Sequence, residues 1–176
     1  MNNSGMDHGS TGSGGMARQM VMEKGIYTDR AFIDAMVPHH QGAVEMAEVA
    51  LKNAEHEEIK QLSENIVSTQ EAEIEELRSI KKAEYGTAEV PSSMDRQEMD
   101  TMGMTLPGEL ARQRPFDKAF MDAMIPHHES AIEMADVALK ESNNPRIQEI
   151  ARAILDAQQR EIAQMRAWRK EWYPEG

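Results

Sequence analysis

Residues 36–47, MVPHHQGAVEMA, recur at residues 124–135 as MIPHHESAIEMA. The two copies are separated by a constant offset of 88, and 17 of the 24 positions from Asp29 to Lys52 are identical in Asp117 to Lys140. Apolar residues recur in both copies at three- and four-residue spacing, which is the pattern of an amphipathic helix. This repeated helical unit decides the fold.

The pattern predicts two pairs of long helices. Helix signals cover about residues 29–53, 55–83, 116–142 and 145–172, with Thr28 or Asp29 and Asn144 as capping residues. Each half of the chain is then a helical hairpin, which cannot bury its apolar stripes alone. We therefore predict an all-α, ferritin-like four-helix bundle, made of two repeated hairpins joined by a long crossover connection.

Composition divides the chain into a leader and one domain. Residues 1–25 form a Met-, Gly- and Ser-containing leader that we expect to be flexible, with a short helix over 16–24 ended by Gly25. Residues 26–176 form the bundle domain, with repeat one at 28–84, the connection at 85–115 and repeat two at 116–173. The connection is rich in Gly, Pro and Met and has one predicted short helix. It either lies across the surface or has methionines with a function, metal binding being left open, and packing by those methionines is the simpler interpretation.

Composition also excludes several classes of function. The formal net charge is -12, which argues against nucleic-acid binding and suits a soluble protein that attracts cations. No apolar run is long enough to cross a membrane. The absence of cysteine excludes disulfides and thiolate metal sites. Methionine is abundant, with 15 residues, and it serves either as core filling or as a thioether ligand.

The repeated histidine pairs are candidate metal ligands. On a helical wheel the histidines and methionines of the motif border the core face, whereas Glu45 points away. Pro38 and Pro126 open the helix beside the histidines. Imidazole with thioether favours copper, and zinc is the less favoured metal. The predicted ligands are His39, His40, His127, His128, Met36, Met46, Met124 and Met134.

Polar residues in the apolar stripes of the facing helices are expected to support this site from outside the ligand set. They are Gln70 and Glu73 in the second helix and Gln158 and Glu161 in the fourth. A buried glutamine needs a hydrogen-bond partner, and it could orient a histidine. In the structural alternative, the histidines bond to these glutamines or to the backbone and only specify the bundle.

The shared pattern, Asp-x-x-Phe followed by Met-x-Pro-His-His-x-x-Ala and Met-Ala, then Gln-x-x-Glu-Ile, resembles the bacterial domain of unknown function 305 family. The resemblance covers about residues 28–173, as two tandem copies. It implies a ferritin-like fold and a secreted, periplasmic or cell-envelope location. It also implies copper binding linked to copper tolerance, as in some members of the family.

We therefore expect an extracytoplasmic protein that sequesters or transports copper or confers tolerance to it, with metal ions as partners and no catalytic residues assigned. The sequence leaves a homo-oligomer open. One alternative is a ferritin-like metal-dependent oxidoreductase, although no histidine here has Glu three residues before it, as di-iron sites of that type do. The other alternative is a structural or interaction module without metal.

Overall fold

The computed structural model describes residues 14–91 and 94–175. These residues form seven helices and two short strands, with the bounds α1 Gly14–Gln19, β1 Met22–Glu23, β2 Ile26–Tyr27, α2 Asp29–Asn53, α3 Glu57–Tyr85, α4 Arg96–Thr101, α5 Pro107–Leu110, α6 Phe116–Glu141 and α7 Pro145–Trp172. Within the described ranges, no helix combines the length and the apolar character that a bilayer span requires.

Local capping explains where the long helices begin and end. The side-chain oxygen of Thr28 accepts a hydrogen bond from the backbone N–H of Ala31 at 3.0 Å and begins α2. Asn144 begins α7 in the same way, by accepting from Arg146 N at 2.9 Å. These N–H groups have no partner within their helix, so the cap supplies one. Gly86 ends α3 at φ 78°, a left-handed conformation that glycine adopts without steric cost.

The hairpins α2–α3 and α6–α7 meet mainly through α2 and α6. One apolar cluster contains Met36 of α2 with Met134 of α6, and a second contains Met46 with Met124. The beginning of each helix thus lies beside the end of the other, so α2 and α6 run antiparallel and meet at their middles. The prediction of an all-α, ferritin-like four-helix bundle is confirmed.

A buried carboxylate joins the two hairpins. Asp117, in the first turn of α6, is fully buried and accepts hydrogen bonds from Glu55 N at 3.0 Å, from His56 N at 2.8 Å and from His56 Nδ1 at 2.6 Å. The His56 ring also stacks on Trp172, with 3.8 Å between ring centroids. Asp117 therefore caps the start of α3 from the other repeat, whereas its equivalent Asp29 accepts from the hydroxyl of Tyr27 at 2.7 Å.

The crossover packs onto the bundle through its own side chains. It contains two short helices instead of the single one predicted, and the first begins at a capping box formed by Asp95 and Glu98. Met102 and Leu110 are fully buried, each in a different one of the two apolar clusters. The methionine-packed form of the connection is thus the one that the structure shows.

The chain before α2 differs from the sequence prediction. The first helix ends at Gln19, not at residue 24, and a two-stranded antiparallel hairpin follows. Lys24 and Gly25 turn this hairpin at φ 52° and 80°, the paired positive angles of a type I′ turn, which a helix cannot contain.

Part of the predicted leader belongs to the folded domain. Ala17 and Val21 are buried in the same apolar cluster as Met36. The prediction of a flexible leader reaching residue 25 is therefore wrong for residues 14–25, because these side chains cover the end of the bundle. Residues 1–13 lie outside the described residues.

Candidate metal centre

The four repeated histidines lie in the middle of the bundle. His39 and His40 are contributed by α2, and His127 and His128 by α6; each side chain is fully buried. Pro38 and Pro126 lie inside these helices, one residue before each pair. Because α2 and α6 meet at their middles, the two copies of the motif face each other across the interface.

The imidazole rings form a row along this interface. The rings of His39 and His127 are stacked at the centre, with centroids 3.7 Å apart and planes inclined by 25°. His40 lies at one end, 6.2 Å from the ring of His39, and His128 lies at the other, 6.4 Å from that of His127. The structure therefore brings all four predicted histidines together, and we call this set the histidine row.

Two glutamates hold the outer histidines. Glu73 of α3 contacts Nε2 of His40 at 2.6 Å, and Glu161 of α7 contacts Nε2 of His128 at 2.5 Å. An ionised carboxylate only accepts, so Nε2 carries the proton in both rings. A neutral ring then has its lone pair on Nδ1. Within residues 14–91 and 94–175, Nδ1 has no hydrogen-bond partner in either of these rings and is buried.

The inner histidines have different partners. His39 Nε2 lies 2.8 Å from the hydroxyl of Ser130, whereas His127 Nε2 lies 3.2 Å from the sulfur of Met104 in the crossover. Ser130 and Met104 were not among the predicted site residues. The sequence contains one signal that the two inner histidines have different partners, because Ser130 occupies the position equivalent to Gly42 of the first repeat.

Burial keeps the inner rings neutral. It lowers the pKa of His39 and of His127 well below the ordinary histidine value. The imidazole of His40 lowers the pKa of His39 further, and the imidazole of His39 does the same for His127. A charged imidazole would lose its hydration here. These rings are therefore uncharged at neutral pH, which is the form that binds metals.

The buried glutamines do not hold the histidines through their carbonyl oxygens. Gln70 and Gln158 are buried in the stripes of α3 and α7, as predicted from the sequence. Their Oε1 atoms have no hydrogen-bond partner among the described residues. The glutamates one turn further along, Glu73 and Glu161, make the contacts with the imidazoles.

The predicted methionine ligands flank the histidine row. Each is fully or almost fully buried. Met36 and Met134 lie in the apolar cluster on one side, and Met46 and Met124 lie in the cluster on the other. Their sulfurs belong to the packed core and stay predicted ligands.

The donor set of the centre mixes imidazole with thioether. Across residues 14–91 and 94–175, no three histidine or carboxylate side chains converge closely enough to hold a metal ion. A metal bound in the histidine row therefore needs thioether sulfur beside imidazole, or a movement of the rings. Cu(I) accepts soft donors and low coordination numbers, so the residues present fit copper better than they fit zinc or calcium.

Comparison with known proteins places the chain in a family. It matches the family described as Domain of unknown function (DUF305) over residues 29–169, through both hairpins and the crossover. The two tandem copies of the family domain expected from the sequence stay a prediction. A DUF305 fragment from Deinococcus radiodurans is similar in fold, at 21% identity and a TM-score of 0.73, over 81% of this chain and 95% of that one.

CopM is a more similar solved structure. In its Cu(II)-bound form it is 38% identical over 84% of this chain and 99% of its own, with a TM-score of 0.78. Its Cu(I)-bound form is 36% identical with a TM-score of 0.72. A co-crystallised Ag-bound form is 37% identical with a TM-score of 0.73, and both alignments cover similar shares of the two chains. Uncharacterized protein L153 of Acanthamoeba polyphaga mimivirus is 41% identical over 49 residues, which is 28% of this chain and only 32% of that protein.

The family match extends from the first turn of α2 almost to the end of α7, and CopM aligns over nearly its whole length. The chain therefore belongs to the DUF305 family.

Proposed function

We propose that this protein binds copper in the histidine row and sequesters or carries it. The ligands in this proposal come from eight side chains, namely His39, His40, His127, His128, Met36, Met46, Met124 and Met134. Glu73 and Glu161 position the outer histidines. The excess of acidic residues, with a formal net charge of -12, attracts cations to the surface.

One observation carries the proposal most directly. The Nδ1 atoms of His40 and His128 are buried and have no hydrogen-bond partner in the part of the chain that the structure describes, while their Nε2 atoms are held by carboxylates. An unpartnered buried polar atom costs about 1–3 kcal/mol. A carboxylate on one ring nitrogen with a free lone pair on the other is the arrangement of metal-binding histidines. The repeat places this arrangement at both ends of the row.

The choice of copper rests on donor chemistry and on relatives. CopM, which is 38% identical to this chain, has been solved with Cu(II), Cu(I) and Ag. Cu(I) and Ag(I) are soft cations that thioether sulfur prefers. The buried methionines on both sides of the row have flexible side chains, so their sulfurs can turn toward a bound ion without moving the helices.

A titration tests the function. Protein purified without a histidine tag is analysed for metal content and then titrated with Cu(I) and with Cu(II) against colorimetric competitors. A variant with all four row histidines changed to Ala should lose tight copper binding. His56→Ala is the matched control, because His56 lies outside the row and its side chain is 36% exposed. This control should bind copper as the wild type does.

The same titration separates the alternatives. If copper binds the four-histidine variant as tightly as it binds the wild type, the histidines only specify the bundle and the copper proposal is wrong. Redox turnover by the copper-loaded protein would favour an oxidoreductase instead. The proposal also includes a location outside the cytoplasm, which fractionation of cells producing the full-length protein would check.

A further inference from the structure

The crossover comes unusually close to α6 beside the histidine row. A Cβ atom added at Gly103 would lie 3.0 Å from the backbone nitrogen of His127 and 3.1 Å from its Cα. Gly103 also has φ 67°, a conformation that other residues adopt only with strain. Glycine at this position therefore permits the contact, and the contact brings the next residue, Met104, to the bundle core.

The thioether of Met104 occupies a space that a missing side chain leaves open. A Cβ atom added at Gly42 of α2 would lie 2.0 Å from Cε and 2.5 Å from Sδ of Met104. The sulfur thus sits between α2 and α6, where its Sδ is 3.2 Å from Nε2 of His127. Any residue larger than glycine at position 42 would push the sulfur away from the ring.

The repeat provides an internal comparison. Ser130 occupies the position equivalent to Gly42, and its hydroxyl lies 2.8 Å from Nε2 of His39. The same hydroxyl lies 2.7 Å from the carbonyl oxygen of His127, to which it can donate. His39 can therefore donate its Nε2 proton to an oxygen. His127 faces a sulfur, which is a weak acceptor and hardly favours a proton on Nε2. Nδ1 of His127 is also buried without a hydrogen-bond partner among the described residues, so no strong acceptor holds the proton on either nitrogen of this ring. The tautomer with its lone pair on Nε2 can therefore face Met104.

We infer that Met104 Sδ and His127 Nε2 form the soft-metal end of the copper centre, so that the crossover supplies a ligand to the bundle. The inference rests on the proposed function and deepens it. It assigns Cu(I) and other soft monovalent ions, such as Ag(I), to this end of the row, because thioether sulfur prefers soft ions. Zn²⁺ depends on imidazole and carboxylate and does not need this sulfur.

The experiment compares two methionines of the crossover. Met104→Leu removes the sulfur at similar volume. Met102→Leu removes a buried sulfur from the same segment and keeps the backbone carbonyl of Met102 that accepts from Ser130. Each variant is titrated with Cu(I) and Ag(I) against a chromophoric competitor, and with Zn²⁺ against a zinc indicator. X-ray absorption of the Cu(I)-loaded protein counts the sulfur ligands.

Met104→Leu should weaken Cu(I) and Ag(I) binding by about tenfold or more, the lower range for loss of a group that supports a metal site. It should remove one sulfur from the copper shell and leave Zn²⁺ binding unchanged. Met102→Leu should change none of these quantities. Gly42→Ala, which keeps both donor side chains but fills the space of the sulfur, should reproduce the Cu(I) loss of Met104→Leu.

Two outcomes would overturn the inference in different ways. If the wild type binds Cu(I) and Met104→Leu binds it equally well with the same sulfur count, the contact is only packing or an N–H···S hydrogen bond, and the proposed function survives. If the wild type does not bind Cu(I), the proposed function fails and this inference fails with it.

Discussion

Replacing Asp117 by alanine should show how strongly one carboxylate joins the two hairpins. The buried side chain accepts backbone hydrogen bonds from Glu55 and from His56, the N-cap residue of α3, and a third bond from the His56 ring. A hydrogen bond to a charged group contributes about 1.5–3 kcal/mol, and loss of a helix cap costs about 0.5–2 kcal/mol. The three bonds share one acceptor, and His56 is partly open to water. We therefore expect the free energy of unfolding to fall by about 3 kcal/mol, which is less than the sum of three separate hydrogen-bond contributions.

Asp29→Ala is the matched control, because Asp29 occupies the equivalent position in the first turn of α2 but caps no other helix. Both variants lose a favourable charge near a helix N-terminus, worth about 0.3–1 kcal/mol. Asp29→Ala also loses the hydrogen bond from the Tyr27 hydroxyl, so the difference between the variants compares the three bonds of Asp117 with that single bond. For a chain of this length, about 3 kcal/mol corresponds to a fall of about 6–12 °C in Tm.

The assay is thermal and urea unfolding of metal-free protein, followed by circular dichroism with EDTA present. Asp117→Ala should unfold well before Asp29→Ala, and the copper stoichiometry of the folded variant should be that of the wild type. Equal destabilisation by the two substitutions would refute the reasoning, since it would mean that the three bonds of Asp117 contribute no more to stability than the single bond that Asp29 accepts from Tyr27.

Two further outcomes follow from the histidine row. Glu73→Gln removes the carboxylate that keeps the proton of His40 on Nε2, so copper affinity should fall about tenfold or more in a competition titration; an unchanged affinity would mean that His40 needs no such partner. Burial lowers the pKa of His39 and His127 in the folded protein. Below a pH of about 6.5, the histidine pKa in the unfolded chain, the unfolded chain therefore binds more protons than the folded protein does. The free energy of unfolding, measured by urea titration, should therefore fall as the pH drops from 7.5 to 5.5. It should fall less steeply in a variant that combines His39→Gln and His127→Gln. If the free energy of unfolding depends on pH equally in both proteins, these two histidines are not the groups responsible.

The long helices were predictable because their signals are local. Apolar spacing, the Thr28 and Asn144 caps and the position of Pro145 act within a few residues, and the helices begin at Asp29, Phe116 and Pro145 as predicted. The hairpin before α2 does not follow from the sequence, because its two-residue turn, Lys24-Gly25, is also typical of a helix end. Glycine after a basic residue suits both structures.

The histidine row was partly predictable for the same reason. Repetition of the His pair on two amphipathic helices implied that the four rings meet, and the bundle brings them into one row. The partners of the rings were harder to assign. Gln70 and Glu73 are both polar residues near the apolar stripe of α3, and only the position of that helix against α2 decides that Glu73 contacts His40.

The sequence by itself determined the helices, their pairing into hairpins and the meeting of the motif copies, because periodicity and duplication are properties of neighbouring positions along the chain. Only the tertiary structure decided how equivalent residues differ. Asp29 and Asp117 are identical in the repeat, yet only Asp117 caps α3, and His39 faces a hydroxyl where His127 faces a thioether. The physical reason is that segments outside the repeat break its symmetry, because the crossover brings Met104 to His127 and the hairpin before α2 brings Tyr27 to Asp29.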